Sequence, residues 1–336
     1  MSTPATATKQ GYLTAEELAA CRKVSNWRGA LSILWTWGWI AAGFALYIAR
    51  PGVLTFLVAW VVLSGRHLAL AILMHDGAHG LLFSNKKWND RLGQWLTGHP
   101  VLNNMLVYRM IHLQHHRHTW TKDDPDLALA KPFPITKSSF RRKVIRDLTG
   151  QTGYERYRAI IRISAGLSAK KKGLEGKSFF ACLKAFAKTQ KGFLITNGIL
   201  LAAVSAFGHP EAYVLLWVIP AMTGFSLVLR IRSIAEHAAI SDPTDELKQT
   251  RTTLAPGWVR FFMAPHNVNY HLEHHLYMYV PQYHLPKVHK TLKERGVFEH
   301  AEITPGYLAV IRRATSKPEG SAENHARASV LPFSGG

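Results

Sequence analysis

Four apolar runs, grouped in two near-contiguous pairs, limit what this chain can fold into. Leu31–Ala49 leads through Arg50-Pro51-Gly52 into Val53–Met74, and Phe193–Gly208 leads through His209-Pro210 into Ala212–Leu229. At ~1.5 Å per residue the first run reaches roughly 28 Å, close to the ~30 Å hydrocarbon core of a bilayer. Runs of this kind read as transmembrane helices, and turns this short make each pair a hairpin. The expected fold is an all-α integral membrane protein with four transmembrane helices in two hairpins and a helical cytosolic cap.

Two hairpins leave the rest of the chain on one side. The expected division is an N-terminal segment 1–30, a hairpin 31–74, a cytosolic region 75–192, a second hairpin 193–230, a cytosolic region 231–314 and a mobile tail 315–336. The non-membrane segments carry nearly all of the 41 Lys and Arg, against 21 Asp and Glu. By the positive-inside rule they face the cytoplasm. Residues 131–191 alone hold sixteen Lys and Arg and three acids. A balance this basic suits nucleic acid, an anionic membrane face or an acidic partner; beside apolar spans the membrane is expected and nucleic acid is not. The two cysteines, Cys21 and Cys182, lie far apart and give neither a disulfide framework nor an iron–sulfur cluster. No secretory signal or retrieval signal is visible, so a bacterial inner membrane is the expected location.

Arg66 lies inside the second run, and Arg230 and Arg232 close the fourth. A cation at mid-bilayer is costly, so all three are expected to snorkel to the cytosolic boundary. Spans two and four would then continue into the cytosol as stalks holding His75 and His237.

Histidine is over-represented, with 18 residues, mostly clustered. The clusters are His75-Asp76-Gly77-Ala78-His79, His112-Leu113-Gln114-His115-His116, the lone His237, and His271-Leu272-Glu273-His274-His275. On a helix, residues three and four apart share a face, so each box can direct several rings at one ion. Adjacent histidines diverge by about 100° and can address different ions. Nine imidazoles exceed what one ion can take and fit two sharing a water or hydroxide. Imidazole suits zinc, copper, iron or nickel. Carboxylates are expected to orient the rings, with Asp76, Glu236 and Glu273 beside ligand candidates and Asp123, Asp124 and Asp126 following the second box. The outlying His118, His266, His284 and His289 are expected in supporting or core roles, and His67 and His209 at the membrane boundary. A metal transporter would carry its ligands within its spans, whereas these lie beyond them.

Together, HDGAH, HLQHH, HLEHH, the His of RSIAEH and the two hairpins resemble the membrane fatty acid desaturase superfamily. TWTKDDPD (Thr119–Asp126) and NVNYHLEHH (Asn267–His275) are similar to bacterial members. The resemblance implies two iron ions on His75, His79, His112, His115, His116, His237, His271, His274 and His275. It also implies oxygen, an acyl-lipid substrate and an external electron donor. There are departures. Ser233 stands where stearoyl-CoA desaturases carry Asn, and His271 where front-end desaturases carry Gln. No cytochrome b5 signature is present, so the donor is expected to be a separate protein of ferredoxin, rubredoxin or cytochrome b5 type. The expected reaction is acyl-lipid desaturation; hydroxylation or ketolation of an acyl chain, sphingolipid or carotenoid is the alternative within the superfamily.

Overall fold

A computed structural model describes residues 11–167 and 178–321. Among the described residues the chain is nearly all helical. Strand pairing is limited to Thr252–Thr253 running parallel to Ile303–Thr304 and an isolated antiparallel bridge between Thr252 and Tyr270. Most of the expected tail, and residues 1–10, lie outside the described residues.

Three helices are long and apolar enough to cross a membrane: Asn26–Ala49, Val53–Ala78 and Glu211–His237. The first begins earlier than its apolar run because Ser25 caps it, its hydroxyl accepting from the Arg28 N–H. The third expected span, Phe193–Gly208, is Lys191–Ala206, an apolar helix of 16 residues. It reaches about 24 Å, short of the hydrocarbon core. Its polar Asn197 is spent internally: Nδ2 donates to the Pro100 carbonyl at 3.2 Å, and Oδ1 accepts from Tyr213 and Trp217 at 2.9 Å each. One apolar cluster, including Phe44, Leu63, Val204 and Leu216, ties all four helices together.

The outer faces of these helices expose Leu31, Leu34, Leu57, Val61, Ile195 and Ile199. Apolar surface on this scale suits lipid, as expected of a membrane protein.

Val53–Ala78 is the central element, with nearly every side chain from Leu63 onward buried. Its contact with the segment Gly224–His237 is close. A Cβ on Gly224 would collide with Ser64 and Trp60, and the Trp60 indole donates to Thr223 Oγ1 at 2.9 Å. The helices that carry His75 and His237 are therefore packed directly on each other.

The three arginines differ from expectation in how they are satisfied. Arg66 does not reach water: it is 1% exposed, donates to the Phe261 carbonyl and lies over the Phe261 ring at 4.0 Å. A carbonyl and a π face replace its hydration. Arg230 and Arg232 are paired with carboxylates, Asp147 and Glu236 respectively.

The N-terminal helix packs on the last histidine box and the helix after it. Leu13, Leu18 and Cys21 pack with Leu272, Leu276, Val280 and Leu292. The basic stretch after box two forms helices Lys137–Leu148, Gln151–Ser164 and Phe179–Thr189. The last of these exposes Phe179 and Phe180 at 76% and 78%. Trp88 and Trp95, between the first two histidine boxes, are also exposed.

Candidate metal centre

Each histidine cluster reaches the centre by a different device. Box one ends the central helix, with His75 in its last turn and His79 as its C-cap. Box two lies on Met105–His118, whose start is fixed by the Asn104 side chain accepting from the N–H groups of Leu106 and Val107. His237 ends Gly224–His237. Box four is the six-residue helix His271–Leu276.

These elements bring the nine rings into two adjoining groups. One holds ligand atoms of His75, His79, His112, His116 and His274, all within 4.8 Å of one another. The other holds His115, His237 and His275, with His271 and Glu236 joined to it through His237. Adjacent histidines divide between the groups: His116 and His274 fall in the first, His115 and His275 in the second. Within the groups, Nε2 atoms lie 3.0 Å apart for His112–His116 and His116–His274, 2.9 Å for His237–His271 and 3.2 Å for His115–His237.

Ligands at right angles around an ion, each ~2.1 Å from it, lie about 3 Å apart, so these spacings suit cations between the rings. Buried ring nitrogens without a hydrogen-bond partner support the same reading: His75 Nε2, His275 Nε2 and both nitrogens of His79, one of which can face an ion. Uncompensated nitrogens at this density are costly in a protein interior and are the donor set a metal requires. Burial and neighbouring rings hold His112, His116, His271, His274 and His275 well below the ordinary imidazole pKa, and burial takes His79 to about 3. Neutral rings at neutral pH are the ligating form.

His115 is the exception. Burial opposes its charge, but a hydrogen bond to Asp124 and the nearby Asp126 raise its pKa. Its Nδ1 lies 2.8 Å from Asp124 Oδ1, while Asp124 also accepts from the N–H groups of Trp120 and Asp126. This arrangement leaves Nε2 facing the second group.

The other carboxylates fall into three kinds. Asp76 lies 3.3 Å from Nδ1 of His75, and Glu236 lies 3.6 Å from Nδ1 of His271 while pairing with Arg232. Asp123, expected to orient a ring, is exposed and offers only its backbone carbonyl to Gln114. The buried neighbour Asp124 takes that position because the turn after box two points it inward. Glu273, also expected beside the rings, is fully buried but touches Thr252 and His289 instead, the latter at 2.5 Å. On a helix, Glu273 points away from the face that carries His271, His274 and His275. His289, expected in a supporting or core role, is that partner; it lies on the next helix, and no spacing rule links it to Glu273 in particular.

A cavity of about 40 Å³ adjoins the second group, lined by Tyr108, Asp126, Arg232, Glu236, His237 and His271. These polar groups share the lining with Leu129, Ala130 and Leu229, and the space is large enough for water. Tyr279 approaches His79 from the other side, ring centroids 6.5 Å apart. Of the outliers, His67 is buried against Trp217 at 4.3 Å, His266 contacts Thr36 at 2.9 Å and His209 contacts Glu211 at 2.8 Å.

The sequence matches the family model described as "Fatty acid desaturase" over residues 51–306. It is 27% identical over 270 residues to the dihydrorhizobitoxine desaturase of Bradyrhizobium elkanii, covering 75% of this chain and 73% of that one. It is 25% identical over 281 residues to the sn-1 oleoyl-lipid 12-desaturase of a Synechocystis strain, covering 78% and 75%. It is 22% identical over 267 residues to the sn-1 acyl-lipid omega-3 desaturase (ferredoxin) of a Nostoc strain, covering 75% and 71%. The matched span contains every histidine box and all three long helices except the first, and the chain belongs to the fatty acid desaturase family.

Proposed function

We propose that this protein is a membrane-bound, oxygen-dependent desaturase that introduces a double bond into the alkyl chain of a lipid. The observation that carries the reading is the meeting of nine imidazoles in two groups of ring nitrogens with few other partners. In this reading His75, His79, His112, His116 and His274 hold one iron, and His115, His237, His271 and His275 hold the other. Bound and reduced, the irons supply with oxygen the oxidant that takes hydrogen from an unactivated chain.

The residues of the chain do the rest. Asp124 fixes the tautomer of His115, and Asp76 stands beside His75. The packing of Val53–Ala78 against Gly224–His237 holds His75 and His237 at a constant separation. Removal of two hydrogens with reduction of oxygen to two waters also consumes two electrons and two protons. The Glu236–Arg232 pair and Asp126 line a water-sized cavity beside His237 and His271, and so border the place where protons would enter. The electrons come from a separate donor; the ferredoxin in the name of the Nostoc relative supports a ferredoxin-type partner.

Four spans in two hairpins, 31–74 and 193–230, would place segments 1–30, 75–192 and 231–314 on the cytoplasmic side of a bacterial inner membrane. The excess of Lys and Arg in those segments supports this orientation. Lys191–Ala206, although short, can span by local thinning of the bilayer.

The test is direct. The purified protein should hold two irons per chain, and lipids from expressing cells should lose two hydrogens by mass spectrometry. Gain of oxygen instead would make it a hydroxylase. His274→Ala and His115→Ala should each abolish turnover and lower bound iron, whereas His300→Ala should change neither. A fully active His274→Ala enzyme would refute the assignment.

A further inference from the structure

A cavity of about 340 Å³ lies beside the histidine cluster and outside it. Arg66, Arg260, His266, Asn267 and Gln282 line it, and no acidic residue does. Both arginines are held in place yet left incomplete. Arg66 gives one N–H to the Phe261 carbonyl, and Arg260 gives one to Asn267 Oδ1 at 3.2 Å. The Nε atoms of both are buried and have no partner. Arg66 is buried and Arg260 half-buried, and donors left unused with no counter-charge are costly there, so an anion would satisfy both.

The backbone here is unusual in the same direction. His266 and Asn267 both take left-handed conformations, with φ of 54° and 57°. Consecutive non-glycine residues in this region are strained and persist where surrounding contacts impose them. The Asn267 side chain imposes them by bridging Arg260 to Gln282, with Nδ2 donating to Gln282 Oε1 at 3.1 Å. The strain thereby orients Arg260.

The surroundings identify the ligand's context. Trp35, Trp39 and Trp258 are exposed around the cavity, and Trp39 meets Phe261 at 4.9 Å. A belt of exposed tryptophans marks the headgroup level of a bilayer. A smaller space shares His266 and Gln282 with the cavity and is also bounded by His75, His271 and His274. The smaller space thus lies between the cavity and the histidine cluster.

We propose that this cavity receives the anionic head of the lipid substrate, a phosphate or a carboxylate, against Arg66 and Arg260. The assignment of the ligand as substrate rests on the desaturase reading above; the anion site itself does not.

The experiment uses the full chain in detergent and reads lipid binding by native mass spectrometry. The probes are dioleoylphosphatidylglycerol, oleate and the neutral dioleoylglycerol. The wild type should bind one of the two anionic probes more tightly than dioleoylglycerol. Arg260→Gln should weaken that binding by about tenfold, the loss of one charge-assisted hydrogen bond, and leave dioleoylglycerol unaffected. Arg260→Lys should recover part of it. Loss confined to phosphatidylglycerol assigns a phosphate, and loss confined to oleate a carboxylate. Equal binding of anionic and neutral probes by the wild type, or unchanged anion binding by Arg260→Gln, overturns the proposal. Because the readout needs neither iron nor oxygen, an inactive protein that still binds the anion would refute the catalytic reading alone.

Discussion

Arg230 donates through Nε and Nη2 to both carboxylate oxygens of Asp147, at 2.5 and 2.8 Å, and Asp147 is completely buried. The pair joins the helix that ends in His237 to the basic region between the hairpins. Asp147 is one of few acids in that region, so the stretch is not simply a positive surface: one of its helices is latched to the scaffold of the metal centre.

Breaking this latch should be costly. Asp147→Asn leaves Arg230 without its charge partner and is expected to destabilise by about 3 kcal/mol, the lower end for a buried pair because Arg230 is partly exposed. Thermal unfolding in detergent would read the loss. Replacing both residues, Asp147→Leu with Arg230→Met, should recover much of it.

Asp124 and Asp123 make a paired test of how His115 is oriented. Asp124→Asn should weaken iron binding by about 10–100-fold, because the carboxylate that sets the ring's tautomer is lost. Asp123→Asn should leave iron content unchanged, since Asp123 is exposed and contributes only its carbonyl. Iron titration of the two variants decides this, and equal effects would count against the role given to Asp124.

The metal-free protein should lose stability on acidification. Six rings (His79, His112, His116, His271, His274 and His275) have pKa values lowered by burial. Between the unfolded value of about 6.5 and these lower folded values, the unfolded chain binds more protons. Stability is therefore full above pH 6.5 and falls as pH drops toward 3. His115 and the buried Asp126, both with raised pKa values, act in the opposite direction but are two groups against six. The melting temperature of chelator-treated protein should decline steadily from pH 7.5 to pH 5; a flat profile would show that the rings are not buried and neutral.

Gly224→Ala should separate the two helices that carry His75 and His237. The added methyl meets Ser64 and Trp60, and overpacking of this kind costs about 1–3 kcal/mol. Iron retention should fall with the melting temperature, whereas Gly38→Ala, which faces open space, should alter neither.

Much of this architecture was legible because its signals are local. Hydropathy located the apolar helices, and the 100° step along a helix separated His115 from His116 and His274 from His275. What stayed hidden depends on contacts between distant segments. Nothing in the sequence distinguishes Asp124 from Asp123; the fold of the turn decides which points inward. Glu273 sits inside a histidine box yet serves Thr252 and His289, because neighbouring helical positions face different ways. Arg66 looked like a boundary residue because hydropathy ignores a carbonyl supplied by Phe261, nearly two hundred positions later. The length of Lys191–Ala206 depends on where Gln190 and Phe207 end the helix, which composition does not reveal.

The packing of Leu13, Leu18 and Cys21 behind Leu272 and Leu276 has a consequence for biosynthesis. Three of the nine imidazoles ride on a helix too short to stand alone, and its support comes from a helix far earlier in the chain and from one just after it. The histidines of the first two boxes are therefore made long before their partners exist. The donor set closes only once Leu285–Glu294 has also been made, so a metal bound by all nine rings would be captured after that point.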